Sequence, residues 1–261
     1  MENIQANQIE LGQGVFIHPT AIIRGLDGPA DRIRIGDQVY IGAGVQIICN
    51  DFQIGDYGKI HHQVTIHGYQ SCSIGHNAWI GQFSIIDCIG GATIGDNCGI
   101  GAHSQLWSHI KFGDTLEGCQ FNSQKALNIG KDVWFVGHCI VGPIEAADKS
   151  MALAGSVITH DMEYNQIYAG SPAKSISSKL GNQFVEVSTK EKMEKMRQYL
   201  SESGVDQEKI ILIEHEDEIN WESSDKSYFV ISKRKYTKRQ SMDEVNFMKY
   251  LLPEKAKFTP Y

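Results

Sequence analysis

Residues 127–161 read LNIGKDVWFVGHCIVGPIEAADKSMALAGSVITHD. Their apolar residues follow neither the 3.6-residue period of a helix nor the alternation of a half-buried strand. Counting from Ile129 gives Phe135, Val141, Ala147, Leu153 and Thr159, each six residues after the last. Val133, Cys139, Glu145, Met151 and Val157 form a second column, four places after each of the first. The repeat is six residues long.

The same count organises most of the chain. It groups Leu11, Ile17 and Ile23, then Ile35, Ile41 and Ile47, then Ile54, Ile60 and Ile66, then Ile74, Ile80 and Ile86, then Ile94, Ile100 and Leu106. With the two triplets of the opening stretch, these make seven sets of three. Spacing within a set stays at six, whereas the steps between sets run to 12, 7, 8, 8 and 23 residues before the regular final step. Every insertion therefore falls at one corner of a three-sided coil.

A hexapeptide repeat is the mark of a parallel β-helix, in which six residues make one short strand and one corner. The Ile, Leu and Val column points inward. Gly follows it at most corners, in "IGDQ", "IGAG", "IGDY", "IGHN", "IGDN" and "IGKD", where the turn needs close backbone approach or a positive φ. With strands about 4.8 Å apart, seven coils give a prism roughly 33 Å long.

The repeat stops near Leu180, which sets expected domains at 1–180 and 181–261. In "STKEKMEKMRQYLSESG", Ser188 and Glu191 stand in capping-box positions, Met193, Met196 and Leu200 share a face, and Gly204 follows the last turn. That is a helix. "KIILIEHE" and "SYFVISKRKYTK" read as strands. "SMDEVNFMKYLL" repeats the capping box with Ser241 and Glu244 before Pro253 stops it. The tail is a small α+β appendage.

Composition narrows the partners. A chain of 261 residues with 41% hydrophobic content buries a core, and its net charge of −7 argues against a general nucleic-acid or membrane binder. No basic leader with an apolar run opens it and no stretch nears 18 continuous apolar residues, so a cytoplasmic location is expected. The six Cys contain no CxxC pair and read as buried free thiols.

The hexapeptide repeats, the "VWFVG" coil, the "LAGSVIT" that follows and the closing "AGSPAKSI" together resemble the left-handed β-helix acyltransferases that use acyl-coenzyme A. The resemblance covers residues 9–178. It implies the left-handed sense of about seven coils, a homotrimer with active sites between neighbouring subunits, and a pantetheine arm lying along the coils. On the matching motifs, Trp134 would flank the thioester or pantetheine, Gly137, Ala154 and Gly155 would lend backbone groups, and Lys174 would face phosphate.

Acyl transfer needs a base near the acceptor, because the attacking atom loses a proton as the tetrahedral intermediate forms. The 23-residue step projects the loop "WSHIKFGDTLEGCQFNSQKA", which carries His109, Asp114 and Glu117. A loop this long inside a compact repeat points to function. His109 sits where similar transferases carry a catalytic His, and Glu117 or a backbone carbonyl would orient it. The rival for the proton is Asp87 in "SIIDCIGGA", acting through water.

For the acceptor, the basic run "SKRKYTKR" and the closing "DEVNFMKYLLPEKAKFTPY" resemble the tails of transferases that N-acylate nucleotide-linked (dTDP) amino-deoxysugars. A diphosphate would give Lys233, Arg234, Lys235, Lys238 and Arg239 a purpose. An acetyl or short hydroxyacyl donor goes with that reading. The alternative is a sugar O-acetyltransferase. His62 and His67 in "HHQVTIHG" resemble part of a β-helical carbonic anhydrase's zinc set, but the third ligand has only His18 to supply it, so no metal is expected. A noncatalytic scaffold would not need "SPAK" or the long loop.

Overall fold

The computed structural model describes residues 3–223 and 225–261. It divides into two compact units, residues 1–184 and 185–261. The first unit runs on to Phe184, whose N–H and C=O are both held by the side-chain amide of Asn165.

The first unit is a left-handed parallel β-helix with three sheets. The first sheet takes seven strands: Ala6–Leu11, Ala30–Ile35, Asp51–Ile54, Cys72–Ile74, Ala92–Ile94, Leu127–Ile129 and Glu145–Ala146. The second sheet starts at Phe16–Ile17, Tyr40–Ile41, Lys59–Ile60, Trp79–Ile80, Gly99–Ile100, Trp134–Phe135 and Met151–Ala152, and the hairpin Ile167–Gly170 with Ala173–Ser175 closes it. The third sheet has Ile22–Arg24, Gln46–Ile48, Thr65–His67, Ile85–Asp87, Gln105–Leu106, Ile140–Val141 and Val157–Ile158. Inward residues stack in register, Ile74 on Ile94 on Ile129 and Ile80 on Ile100 on Phe135. These residues are almost fully buried.

The last coil departs from the strict count. Ile129 pairs with Ala146, Phe135 with Ala152 and Val141 with Ile158, so the inward column is one residue earlier than Ala147, Leu153 and Thr159. Those three lie partly or fully exposed. The second column likewise runs Ile144, Ser150 and Ser156, all buried, rather than Glu145, Met151 and Val157. The cause is the corner after Val141. Gly142 and Pro143 close it tightly and leave Ile144 to enter the core where Leu127 does on the coil before. A one-residue change turns every following side chain.

The corner glycines serve close approach. A Cβ at Gly95 would lie 2.6 Å from the carbonyl oxygen of Gly130 on the next coil. The positive φ falls two residues later, on Asn77, Asn97 and Asp132 at the corner between first and second sheets. Asn tolerates that conformation at low cost. Their buried side chains form a ladder, Asn77 Nδ2 donating to Asn97 Oδ1 (2.9 Å) and Asn97 Nδ2 to Asp132 Oδ1 (3.1 Å).

The long step at the corner between third and first sheets is a hairpin, His109–Lys111 pairing antiparallel with Asn122–Gln124. Its outer part exposes Phe112, Leu116 and Phe121. Cys49, Cys72, Cys88, Cys98 and Cys139 are buried and free, and Cys119 on the hairpin is half-buried.

The second unit contains helices Thr189–Glu202 and Met242–Leu251 with a four-stranded sheet of Ile210–Ile213, Ser227–Val230, Lys235–Tyr236 and Thr259–Pro260. Ser188 and Glu191 form the full reciprocal capping box. The second box is only half made. Ser241 accepts from the Glu244 N–H, but the Glu244 carboxylate turns inward to Ser227 Oγ, Arg239 N and Gln240 N. The "SYFVISKRKYTK" segment makes two strands rather than one, joined by a turn in which Arg234 takes a positive φ.

Candidate active site

The structure brings His109 and Asp87 together. They lie on neighbouring coils at the corner between third and first sheets: Asp87 follows inward Ile86, and Leu106 lies below Ile86 three residues before His109. His109 Nδ1 is 2.9 Å from Asp87 Oδ1. The carboxylate accepts, so Nδ1 carries the proton and the Nε2 lone pair is left for a substrate proton. Asp87 is 4% exposed at its side chain and His109 is 21% exposed, so the ring is the accessible member of the pair.

The buried carboxylate is held by more than the ring. Asp87 Oδ1 also accepts from the Ser108 N–H (2.9 Å) and the Ser108 hydroxyl, and that hydroxyl accepts from the Gly90 N–H (2.8 Å). Burial of a charge is tolerable only with such compensation. Gly90 is itself required. A Cβ there would lie 2.6 Å from the Ser108 carbonyl oxygen and 2.8 Å from that of Lys125, where the two legs of the hairpin pass. Lys125 N–H closes the hairpin base on Ser108 O (3.1 Å), and Gln124 Nε2 ties it to Ile89 O (3.1 Å). Of the Gly pair in "SIIDCIGGA", Gly90 makes room for the hairpin that delivers His109, whereas Gly91 supplies a positive φ of 95°.

This corrects the expected orienting group. Glu117 lies exposed on the hairpin and the carboxylate on the His109 ring is Asp87, so the two residues weighed as rivals form one pair. Ser108 escaped the sequence reading. Its signal was its place beside the His on the coil next to the Asp. Trp107 packs its ring edge-on to His109 at 6.2 Å between centroids.

The residues assigned to coenzyme A gather elsewhere on the helix. Trp134 is an outward residue of the second sheet, 44% exposed. Gly137 lies at the corner between second and third sheets with φ 151°, and its carbonyl accepts from the Gly155 N–H on the next coil (3.0 Å). Ala154 and Gly155 form the exposed turn there, and Lys174 is exposed on the last strand of the second sheet. In one chain, then, these groups and His109 occupy different edges of the prism. At the same second-to-third corner the rings of Phe83, His103 and His138 stack at 5.1 and 4.8 Å.

The three histidines considered for zinc each have their own neighbours. His62 packs against Phe83, His18 Nδ1 contacts Thr20, and His67 lies exposed beside Asp87 in the third sheet. Among the described residues no group of three or more His, Cys, Asp or Glu is placed to hold a metal ion. In the second unit, Lys233 pairs with Glu216 (2.6 Å), Lys235 lies over the Tyr261 ring (5.0 Å) and Arg239 donates to the Trp221 carbonyl (3.3 Å). The basic run is largely occupied by its own neighbours. No described helix is long and apolar enough to cross a membrane.

No model of a known protein family matches the chain. Among solved structures it is similar to AntD, an N-acyltransferase from Bacillus cereus in complex with dTDP and 3-hydroxybutyryl-CoA, at 17% identity over 66% of this chain and 82% of that one, TM-score 0.43. It is also similar to the polySia-specific acetyltransferase NeuO, at 18% identity over 71% and 82% of the two chains, TM-score 0.43. A maltose O-acetyltransferase from Clostridium difficile 630 aligns at 21% identity over 56% and 66%, TM-score 0.34.

Proposed function

We propose that the protein is an acyl-CoA-dependent acyltransferase in which His109, held by Asp87, takes the proton from the acceptor as it attacks the thioester carbonyl. The carrying observation is the 2.9 Å contact between His109 Nδ1 and the buried Asp87 carboxylate. It fixes the tautomer with a free Nε2 and stabilises the imidazolium that forms on proton uptake. The base then returns the proton to the departing thiolate of coenzyme A. Trp134, Gly137, Ala154, Gly155 and Lys174 would hold the pantetheine arm and phosphates.

Because those groups and His109 stand on different edges of one prism, a complete site requires two copies, with coenzyme A on one and the base from another. A homotrimer supplies that arrangement by symmetry. Mixing His109→Gln subunits with Lys174→Ala subunits should restore part of the activity that each lacks alone. Mixed trimers as inactive as their parents would sink the shared site.

The acceptor is a sugar under two readings. The tail's resemblance supports the amino group of a nucleotide-linked deoxysugar. The dyad favours a hydroxyl, which is a weak nucleophile until a base draws off its proton, whereas a neutral amine attacks through its lone pair and sheds its proton afterwards. The occupied basic run also leaves less charge for a diphosphate. Thiol release from acetyl-CoA and 3-hydroxybutyryl-CoA, followed with free sugars, nucleotide-linked sugars and their amino analogues, separates the two. No acceptor-dependent release from any of them would refute sugar acylation.

A further inference from the structure

We infer that Gly99 is a positioning residue for acyl-coenzyme A, acting only through Trp134, whose indole it allows to fold back over the preceding coil. This rests on the proposed role of Trp134 beside the pantetheine. Gly99 stands in the outward column of the second sheet, paired with Trp79 on one side and Trp134 on the other. It is the bare position between two tryptophans. A Cβ added there would meet Trp134 Cδ1 at 3.0 Å, Nε1 at 3.5 Å and Cγ at 3.7 Å. The five-membered ring of Trp134 therefore covers Gly99.

Direction matters here. The indole leans back over Gly99 on the preceding coil, and Met151 is its neighbour on the coil after. Trp79 leaves the space free, because its ring packs on His61 (4.9 Å). Seated on Gly99, Trp134 stays 44% exposed. A β-branched side chain at 99 would push the indole off this seat.

Strand stability alone predicts the opposite sign. Gly inside a strand weakens it, and often marks close approach by another group. Gly99→Ala and Gly99→Val should therefore raise the melting temperature or leave it unchanged if the residue merely supports the fold.

The test is acetyl-CoA binding by calorimetry to the full chain, with melting temperature as the fold control. Gly99→Val should weaken acetyl-CoA by about tenfold, a difference well above that of a neutral surface change. Gly99→Ala should weaken it less. In a Trp134→Ala background, adding Gly99→Val should change the affinity less than about twofold, as a residue acting through its neighbour must. Unchanged affinity in Gly99→Val, or an equal loss with and without Trp134, overturns the inference while leaving the ligand role of Trp134 intact. If Trp134→Ala alone binds acetyl-CoA like the parent, the ligand role fails and the inference with it.

Discussion

Two corners of the same prism behave differently. At the corner between first and second sheets the chain repeats without insertion, and Asn77, Asn97 and Asp132 pass one buried hydrogen bond from coil to coil. At the corner between third and first sheets almost every coil carries extra residues. One of these insertions delivers a His to a buried carboxylate. A stacked repeat pins each coil only through its neighbours, so departures at one edge leave the other two edges intact. The regular corner makes the scaffold, and the irregular one carries the proposed base.

The largest expected effect breaks the irregular corner chemically. His109→Gln should lower kcat by about two to four orders of magnitude, the usual range for loss of a general base. Acetyl-CoA binding should persist, since the groups assigned to it lie on another edge. Asp87→Asn should also cost activity, because Asn presents a donor or a weaker acceptor to Nδ1 and releases the tautomer. Near-parental turnover in both variants would remove the dyad from the mechanism.

Next comes the register at the last coil. Ala146 is 2% exposed and points inward, whereas Ala147 is partly exposed. Ala146→Asp buries an unpaired carboxylate and should cost several kcal/mol in a denaturant or thermal melt. Ala147→Asp should stay within about 1 kcal/mol of the parent, as surface changes do. The reverse order would restore the unbroken six-residue count.

Those two sites mark what the sequence made legible. Ile35 through Val141 could be placed from spacing alone, because each inward residue is also an apolar β-former and the period has no competitor. The last coil could not. Ala, Leu and Thr at 147, 153 and 159 resemble inward residues as well as Ala, Ala and Ile at 146, 152 and 158 do. Only the closure at Gly142–Pro143 decides between them. Asp87 and His109 were each visible as candidates, but their partnership depends on the hairpin base at Ser108, Lys125 and Gly90, which is a long-range fact. In the second unit the first capping box was legible because both partners are local, whereas Glu244 was captured by Ser227, distant in sequence.

Glu244 supplies the smallest and most specific test, since it lies in the unit without repeats and depends on packing that no period announces. It is 1% exposed, and burial raises its carboxyl above the ordinary range, opposed by donors from Ser227, Arg239 and Gln240 and by the nearby charge of Lys238. A carboxyl whose folded value lies above its unfolded one binds its proton more tightly when folded. Its contribution to stability is therefore complete below the unfolded value and is lost as pH rises through the folded one. Glu244→Gln stays neutral throughout and keeps an oxygen for one of the two backbone donors, Arg239 N–H on Oε2 or Gln240 N–H on Oε1. Relative to the parent, the variant should thus gain stability as pH rises from the ordinary carboxylate range toward neutrality. Hydrogen exchange over Ser227–Val230 and Met242–Leu251, compared at pH 5 and pH 7, reads this locally. A variant-to-parent difference that does not change with pH, or that favours the parent more at pH 7, would show that Glu244 is held as a stable anion.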